Sequence, residues 1–192
     1  MGKDKAFLES KGRTLLANAL ELGRSVAEQV RIVGDPVKFA EFGTVVEDIY
    51  PGRGPLGGIH AALKSSQTDL NLMIGVDLPL LESRFLEYLI VCAVQSGAVV
   101  TVPRAGKHFE PLCAVYRTEF LLPAEQALVT GRNKIDALFT GITLRALDQE
   151  ELAQHHFSSE MFRNVNTPED WKLAQEEFAR CNMYDERQTG RT

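Results

Sequence analysis

The segment Val45–Ile59 reads VVEDIYPGRGPLGGI, and it sets the expectations for the fold. A short β-branched run ends in the acidic pair Glu47 and Asp48, a loop rich in glycine and proline follows, and apolar residues then recur at helical spacing. Glycine lets the backbone approach a ligand closely, and a helix N-terminus presents free N–H groups. This strand–loop–helix pattern favours an anion site, although a turn that only joins a strand to a helix fits the local residues equally well.

Length and composition predict one α/β domain. The chain has 192 residues, enough for a sizeable core, and its formal net charge of −5 argues against a broad surface for nucleic acid or an acidic membrane. We expect residues 1–180 to form a single domain and the polar residues 181–192 to form a disordered tail. The sequence contains no internal repeat or low-complexity tract.

The three cysteines are widely spaced and form no CxxC pair, which fits a reducing compartment and offers no metal-site spacing. Cys92 and Cys113 lie in apolar stretches, and we expect both to be buried in the core. No apolar run approaches the length of a transmembrane helix, and no signal peptide is visible. These features predict a cytoplasmic protein.

Two further strands are expected to end at candidate site residues. The run 30–33 ends at Gly34, and the nearly unbroken apolar run 70–76, typical of a strand buried on both faces, ends at Asp77. In an α/β sheet, ligands gather beyond the carboxyl ends of the strands. Asp77 is therefore a candidate ligand-binding residue, with an N-cap of the following helix as the alternative.

Four motifs occur in a fixed order along the chain: Met-Gly-x-Asp-Lys at 1–5, Glu-Asp-x-x-Pro-Gly-x-Gly-Pro-Leu-x-Gly-Ile at 47–59, Val-Asp-Leu-Pro at 76–79, and Asn-Val-Asn-Thr-Pro-Glu-Asp at 164–170. Together they resemble the molybdenum cofactor guanylyltransferase family of MobA-like nucleotidyltransferases. The resemblance extends from Met1 to about Phe178. It implies a Rossmann-like, three-layer α/β/α nucleotidyltransferase fold with a mostly parallel mixed sheet.

The resemblance also implies roles for four residues. Lys5 matches the lysine that contacts the nucleotide phosphates, Asp48 matches the aspartate that contacts the nucleoside, and Asp77 matches the aspartate that holds Mg²⁺. Gly34 occupies a place where relatives often carry an asparagine, so it offers the nucleotide only backbone groups. Considered without the resemblance, the residues around Lys5 favour an ordinary solvated surface lysine.

The motif at Met1 is the end of a longer one in the family it resembles. A strand, a Leu-Ala-Gly-Gly loop and a Ser-x-Arg segment precede it there, and this sequence contains none of them. We predict that Met1 is an internal methionine and that the true start lies upstream. The alternative is a truncated relative that binds a nucleotide or cofactor without catalysis.

The acceptor substrate is expected to lie on the side of two polar loops. Arg104, Lys107 and His108 lie in the first loop and suit an anionic acceptor, although ordinary hairpin charges fit equally well. The resemblance also implies that the loop 131–134 lies on the acceptor side and that Asn164 and Asn166 match polar groups at the site.

Hydrophobic periodicity predicts the remaining elements. Helices are expected at 13–22 (interrupted by Gly23), 54–65, 82–95, 123–139 (broken near 131–134) and after the N-cap Thr167. Strands are expected at 98–102, 110–116, 142–146 and 162–165.

The resemblance implies transfer of GMP from GTP to the phosphate of the molybdopterin cofactor, with Mg²⁺ as the metal and pyrophosphate as the by-product. The sequence has no Gly-x-Ser-x-Gly turn for a covalent nucleophile, and phosphoryl-type transfer requires none. A cytidylyltransferase or another small-phosphate nucleotidyltransferase is the nearest alternative. The expected partners are GTP, the molybdopterin cofactor and proteins that mature molybdoenzymes.

Overall fold

The computed structural model of the protein describes residues 4–10, 12–167 and 169–173. Six α-helices lie entirely within these residues: α1 (Leu15–Val26), α2 (Pro36–Phe39), α3 (Pro55–Ser65), α4 (Ser83–Ser96), α5 (Leu121–Val129) and α6 (Gln149–Gln154). Nine strands accompany them: β1 (Glu9–Ser10), β2 (Arg13–Thr14), β3 (Ile32–Val33), β4 (Val45–Val46), β5 (Leu70–Ile74), β6 (Val100–Ala105), β7 (His108–Phe109), β8 (Cys113–Arg117) and β9 (Leu144–Leu147).

The main sheet has five strands, and most of its pairs are antiparallel. Strand β8 pairs with β5 and β6, and β7 pairs with β6, all in antiparallel register. The parallel pairs among the described residues are β6 with β9 and, in a separate two-stranded sheet, β3 with β4. The prediction of an α/β fold is confirmed, but the prediction of a mostly parallel sheet is not.

Helices cover both faces of the main sheet, which gives three layers. Side chains of β8 alternate between the two faces: Ala114 and Tyr116 pack in a cluster with α3 and α5, whereas Cys113 and Val115 pack in a cluster with α4. This alternation is the period-2 geometry of a strand. The prediction that Cys92 and Cys113 are buried is confirmed.

Strand β5 lies at the edge of the main sheet and is less buried than its sequence predicts. Of its residues, Met73 is buried and the other four are only half-buried. Both faces of β5 pack against the core, with Met73 in the cluster of α3 and α5 and with Leu72 and Ile74 against the cluster of α4. The burial is only partial because β5 pairs with β8 alone in the described part of the chain.

Helices α1 and α3 connect the two sheets. A Cβ at Gly23 of α1 would lie 3.4 Å from Val30, just before β3, and 3.9 Å from Ile74 of β5. Gly23 continues α1, so the predicted interruption is wrong, and an added Cβ there would meet both neighbours at ordinary van der Waals distances.

The predicted last strand at 162–165 is also wrong. A 3₁₀ turn occupies Ser159–Phe162, and an irregular segment follows it. The amide of Val165 donates to the carbonyl oxygen of Asp77, at 2.9 Å. This single hydrogen bond holds the segment against the turn that follows β5, and it is not part of a strand ladder.

The helical break near 131–134 is confirmed. Helix α5 ends at Val129, Gly131 adopts a φ of 75°, and a 3₁₀ segment covers Ile135–Gly141. A positive φ suits glycine, which has no Cβ to clash with the backbone. The predicted tail at 181–192 and the motif residues Met1, Gly2 and Lys3 lie outside the described residues.

None of the helices that the structure describes is both long and apolar enough to cross a bilayer.

Candidate active site

Asp77 follows β5 in a tight turn that leaves no room for a side chain at position 75. The amide of Gly75 donates to the carbonyl of Leu112, at 2.6 Å, and that of Leu78 donates to the carbonyl of Gly75, at 3.3 Å. A Cβ at Gly75 would lie 3.0 Å from Oδ1 of Asp77 and 3.3 Å from Cβ of Leu112. The glycine therefore lets the Asp77 carboxylate lie back against the turn.

Asp77 does not cap the following helix. Helix α4 begins at Ser83, and its N-cap position is Glu82. The Asp77 side chain is 26% exposed, and its Oδ2 lies 4.0 Å from Nζ of Lys5. The N-cap interpretation of Asp77 is wrong, and its carboxylate remains accessible to a ligand.

Lys5 lies at the start of a 3₁₀ turn, Lys5–Phe7, which Asp4 caps by accepting a hydrogen bond from the amide of Ala6. The Lys5 ammonium donates to Oδ1 of Asn166 as well as facing Asp77. Its side chain is 49% exposed, so these contacts add little to folding stability. These contacts instead fix the position of the Lys5 ammonium beside the side-chain oxygens of Asp77 and Asn166.

Asn166 reaches this place because the segment after the last 3₁₀ turn is anchored on both sides. Val165 is fully buried in a small cluster with Leu8, Leu15, Leu80 and Trp171. On the other side, Thr167 Oγ1 accepts from the amide of Asp170, and the Asp170 carboxylate accepts from the amides of Asn166 and Thr167. This reciprocal capping box confirms Thr167 as an N-cap.

Gly34 ends β3, where the ring of Phe39 excludes a side chain. A Cβ at Gly34 would lie 2.9 Å from Cδ2 and Cε2 of Phe39. The amide of Gly34 already donates to Val46, which leaves its carbonyl as the free backbone group. The neighbouring Asp35 accepts from the amide of Val37 and caps α2, so its carboxylate is engaged locally.

Asp48 follows β4 and lies against the first turn of α3. Its Oδ1 accepts from the amide of Tyr50, at 2.9 Å, and a Cβ at Gly57 would lie 2.9 Å from Oδ2. The N-cap of α3 is Gly54, which offers no side-chain cap. No hydrogen bond or ion pair between described residues joins Asp48 or Gly34 to Lys5 or Asp77. The predicted residues therefore form two groups, each at the end of its own sheet.

The loop before α3 reaches toward the break after α5. Two glycines with positive φ, Gly52 and Gly54, flank Arg53. The Arg53 Nη1 lies 3.8 Å from the Cβ position of Gly131. Arg53 is half-buried and has no ion-pair partner among the described residues. A guanidinium that is partly buried and unpaired suits an anionic ligand.

The basic loop after β6 is a tight hairpin. Gly106 adopts a φ of 61° at its tip, and Lys107 and His108 are exposed beside it. The Arg104 guanidinium lies 4.3 Å from the centre of the Phe109 ring, a cation–π contact. Lys107 and His108, by contrast, make no cation–π contact in the described part of the chain.

Sequence reasoning missed Glu110, which ends this hairpin. Its amide donates to the carbonyl of Pro103, and its carbonyl accepts from the amide of Cys113. Burial, together with the negative charges of Asp77 and Asp136, raises the pKa of Glu110 to about 7. Perturbed carboxylates cluster at functional sites. The sequence carried no signal beyond an acidic residue before Pro111, because the cause is tertiary.

The charges around Lys5 fit an oxygen-coordinated divalent cation. The Asp77 carboxylate and the Asn166 amide oxygen both face the Lys5 ammonium, so two oxygen donors already converge on a positive charge. Carboxylate and amide oxygens are the ligands that Mg²⁺ and similar hard cations prefer. The described residues contain no cluster of three or more histidine, cysteine or acidic residues, so substrate oxygens and water would have to complete the coordination.

Comparison with known proteins identifies the fold and the family. The MobA-like NTP transferase domain matches residues 1–152. The chain is 26% identical over 173 residues to a probable molybdenum cofactor guanylyltransferase of Clostridium perfringens, covering 88% of this chain and 86% of that protein. It is 30% identical over 176 residues to the molybdenum cofactor guanylyltransferase of Desulfosudis oleivorans, covering 91% and 87%.

A solved structure agrees with these relatives. The molybdopterin-guanine dinucleotide biosynthesis protein A of Archaeoglobus fulgidus superposes with a TM-score of 0.78 at 26% identity, covering 93% of this chain and 92% of that one. A 2-C-methyl-D-erythritol 4-phosphate cytidylyltransferase of Thermus thermophilus shares the fold, with a TM-score of 0.69 at 18% identity. The chain therefore belongs to the MobA-like NTP transferase family, a family of nucleotidyltransferases.

Proposed function

We propose that the protein transfers GMP from GTP to the phosphate of the molybdopterin cofactor and releases pyrophosphate. The observation that carries this proposal is the convergence of Lys5, Asp77 and Asn166 from three distant parts of the chain. The guanylyltransferase names of several relatives at 26–30% identity support the choice of donor and acceptor.

Asp77 and Asn166 would hold Mg²⁺ together with the nucleotide phosphates. When bound, the ion supplies positive charge to phosphate oxygens whose negative charge opposes attack by a second phosphate. Because Lys5 already lies beside both oxygen donors, it is placed to neutralise charge as pyrophosphate leaves. No covalent intermediate on the protein is required, since the protein acts by positioning and charge.

The nucleoside would lie beside the second group of residues. Asp48 keeps one oxygen on the amide of Tyr50, while its other oxygen lies near the first turn of α3. A carboxylate there can accept from ribose hydroxyls or from the N1–H and amino group of guanine. Gly34 would contribute its carbonyl, because its amide is bonded to Val46.

The anionic acceptor would approach from the side of the two basic loops. Arg53 packs near Gly131, and Lys107 and His108 extend from the hairpin. The charges of Arg53 and Lys107 would attract a phosphomonoester to a protein whose net charge is −5.

The test is a transfer assay with purified protein, Mg²⁺, molybdopterin and either GTP or CTP. We expect a guanine dinucleotide product and one pyrophosphate per transfer with GTP, and at least about tenfold less product with CTP. Variant Asp77→Asn should lose the product, whereas Glu87→Gln, on the exposed face of α4, should not. A preference for CTP would identify a cytidylyltransferase, and binding without product would identify a non-catalytic relative.

A further inference from the structure

Glu110 ends the basic hairpin after β6, close in sequence to Leu112, which contacts the Asp77 turn. The backbone bond from Gly75 to Leu112 brings the end of the hairpin against the turn that carries Asp77. The negative charge of Asp136, in the 3₁₀ segment after α5, contributes to the raised pKa of Glu110. Glu110 therefore lies where the hairpin that carries Lys107 and His108 meets the turn that carries Asp77.

The Glu110 carboxylate is half-buried and without a partner. No hydrogen bond or ion pair to its side chain is found within the described residues, although the backbone of Glu110 is bonded on both sides. Three other acidic side chains are, by contrast, paired with a cation: Asp69 with Arg117, Glu125 with Lys64, and Glu151 with Arg145. A half-buried carboxylate that lacks a donor costs free energy, and a ligand that supplies N–H groups removes that cost.

The neighbouring charges define what such a ligand must offer. Asp77 and Asp136 both raise the negative potential at Glu110, so a phosphate group would be repelled there. A ring with adjacent N–H and amino donors suits the position, because a carboxylate accepts two parallel hydrogen bonds from such a pair. The 2-amino-4-oxopyrimidine ring carries this donor pair, and it occurs in both guanine and pterin.

We propose that Glu110 is a specificity-determining residue that accepts the paired N–H and amino hydrogen bonds of the acceptor's pterin ring. Pterin is favoured over guanine because Glu110 ends the hairpin that carries Lys107 and His108 on the proposed acceptor side, whereas Asp48 lies with the other sheet, by α3. The inference deepens the proposed function and rests on it for the identity of the acceptor.

The test compares ligands that differ in the amino group alone. The 6-hydroxymethylpterin monophosphate and its lumazine counterpart, which carries an oxo group in place of the 2-amino group, would be titrated by fluorescence against the wild type, Glu110→Gln and the exposed control Glu119→Gln. We expect the wild type and the control to bind the pterin about tenfold more tightly than the lumazine. Glu110→Gln should bind both ligands within about twofold.

A second pair of ligands tests whether Glu110 recognises the pterin ring of the acceptor or the guanine ring of GTP. GTP and ITP differ in the same amino group, and we expect Glu110→Gln to leave their affinity ratio unchanged. Loss of the GTP preference in Glu110→Gln, or its retention of the pterin preference, would overturn the inference. Equal binding of pterin and lumazine by the wild type, or binding of neither, would overturn it as well.

The same proteins distinguish this inference from the proposed function. Thermal unfolding of each variant first establishes that it is folded at the titration temperature. If the wild type discriminates pterin from lumazine through Glu110 but forms no dinucleotide from GTP and molybdopterin, the proposed transfer fails and the ring recognition stands. If the dinucleotide forms and Glu110→Gln keeps the pterin preference, the transfer stands and the ring recognition fails.

Discussion

The backbone N–H of Val165 donates a hydrogen bond to the backbone carbonyl of Asp77, although 88 residues separate them in the chain (165 − 77). This bond fixes the segment after the last 3₁₀ turn to the turn after β5. Asn166 then projects beside the Asp77 carboxylate and meets Lys5 from the start of the described chain. Three segments therefore build one site.

Replacing Asp77 with asparagine should abolish transfer without unfolding the protein. The substitution keeps the side-chain volume and removes the negative charge that would hold a cation, so we expect kcat to fall by about 100-fold or more. The melting temperature should stay close to that of wild type, because Asp77 caps no helix and is partly exposed. Steady-state kinetics with Mg²⁺ supplied, with Glu87→Gln as the control, check this. Near wild-type turnover in Asp77→Asn would eliminate the metal role.

Replacing Lys5 with methionine should impair transfer and leave stability almost unchanged. Methionine keeps an apolar stem but carries no ammonium to face the phosphates, so we expect turnover to fall by roughly 10- to 100-fold. Unfolding free energy should change by less than about 0.5 kcal/mol, since the side chain is 49% exposed. Lys38→Met is the matched control, because Lys38 is similarly exposed and pairs with Asp4. Equal effects of the two variants on turnover would refute a special role for Lys5.

Replacing Gly34 with alanine should destabilise the protein through the ring of Phe39. The added Cβ would lie 2.9 Å from two ring carbons, and overpacking of this kind costs about 1–3 kcal/mol. The smaller side chain in Phe39→Leu should make Gly34→Ala less costly, which a double-mutant cycle by urea unfolding measures. Gly58→Ala is the control, since its Cβ would meet Val33 at an ordinary 3.7 Å. Additive effects at positions 34 and 39 would show that the ring is not the cause.

Replacing Gly57 with alanine should weaken GTP binding by moving Asp48. A Cβ at Gly57 would lie 2.9 Å and 3.0 Å from the two carboxylate oxygens, which must then shift. We expect the Kd for GTP to rise by about tenfold or more, measured by calorimetric titration, if Asp48 contacts the nucleoside. The neighbouring Gly58→Ala should bind GTP like wild type. Unchanged GTP binding in Gly57→Ala would remove Asp48 from the nucleotide site.

Replacing Glu110 with glutamine should change how stability depends on pH. The pKa of Glu110 is about 7 in the folded protein, above its ordinary value of 4.5, so the folded state holds this proton more tightly than the unfolded state does. Its contribution to stability is therefore fully present below about pH 4.5 and is lost as the pH rises through 7. We expect the stability of Glu110→Gln relative to wild type to increase between pH 4.5 and 8, measured by denaturant unfolding without divalent ions. A constant difference would contradict the raised pKa.

Local sequence patterns predicted many elements of this fold correctly. The β-branched run before Glu47, the Gly-Pro loop and the helix after it are all present as β4, a turn and α3. The break at 131–134 and the cap at Thr167 were predictable because glycine and capping residues act over a few neighbouring residues. The motif resemblance identified Lys5 and Asp77 as candidates, and in the structure Nζ of Lys5 lies 4.0 Å from Oδ2 of Asp77.

Other features depend on contacts between residues that are distant in the chain, and they could not be predicted from the sequence. The apolar composition of β5 predicted burial on both faces, but strand pairing placed it at an edge, where the burial is only partial. A strand was expected at 162–165, yet no neighbouring strand pairs with this segment within the described residues. The direction of strand pairing could not be predicted for the same reason. A residue pattern gives the period of a strand, but it does not identify the strand with which it pairs.

The sequence by itself therefore determined many of the elements, the family resemblance and the candidate residues Lys5, Gly34, Asp48 and Asp77, since these depend on local propensity and motif order. Tertiary structure alone decided which of them meet. It placed Lys5 and Asp77 with Asn166 and left Gly34 and Asp48 by the second sheet. It also raised the pKa of Glu110 through burial and through charges 33 and 26 residues away (110 − 77 and 136 − 110). Burial and electrostatic potential sum over everything nearby in space, whatever its distance along the chain.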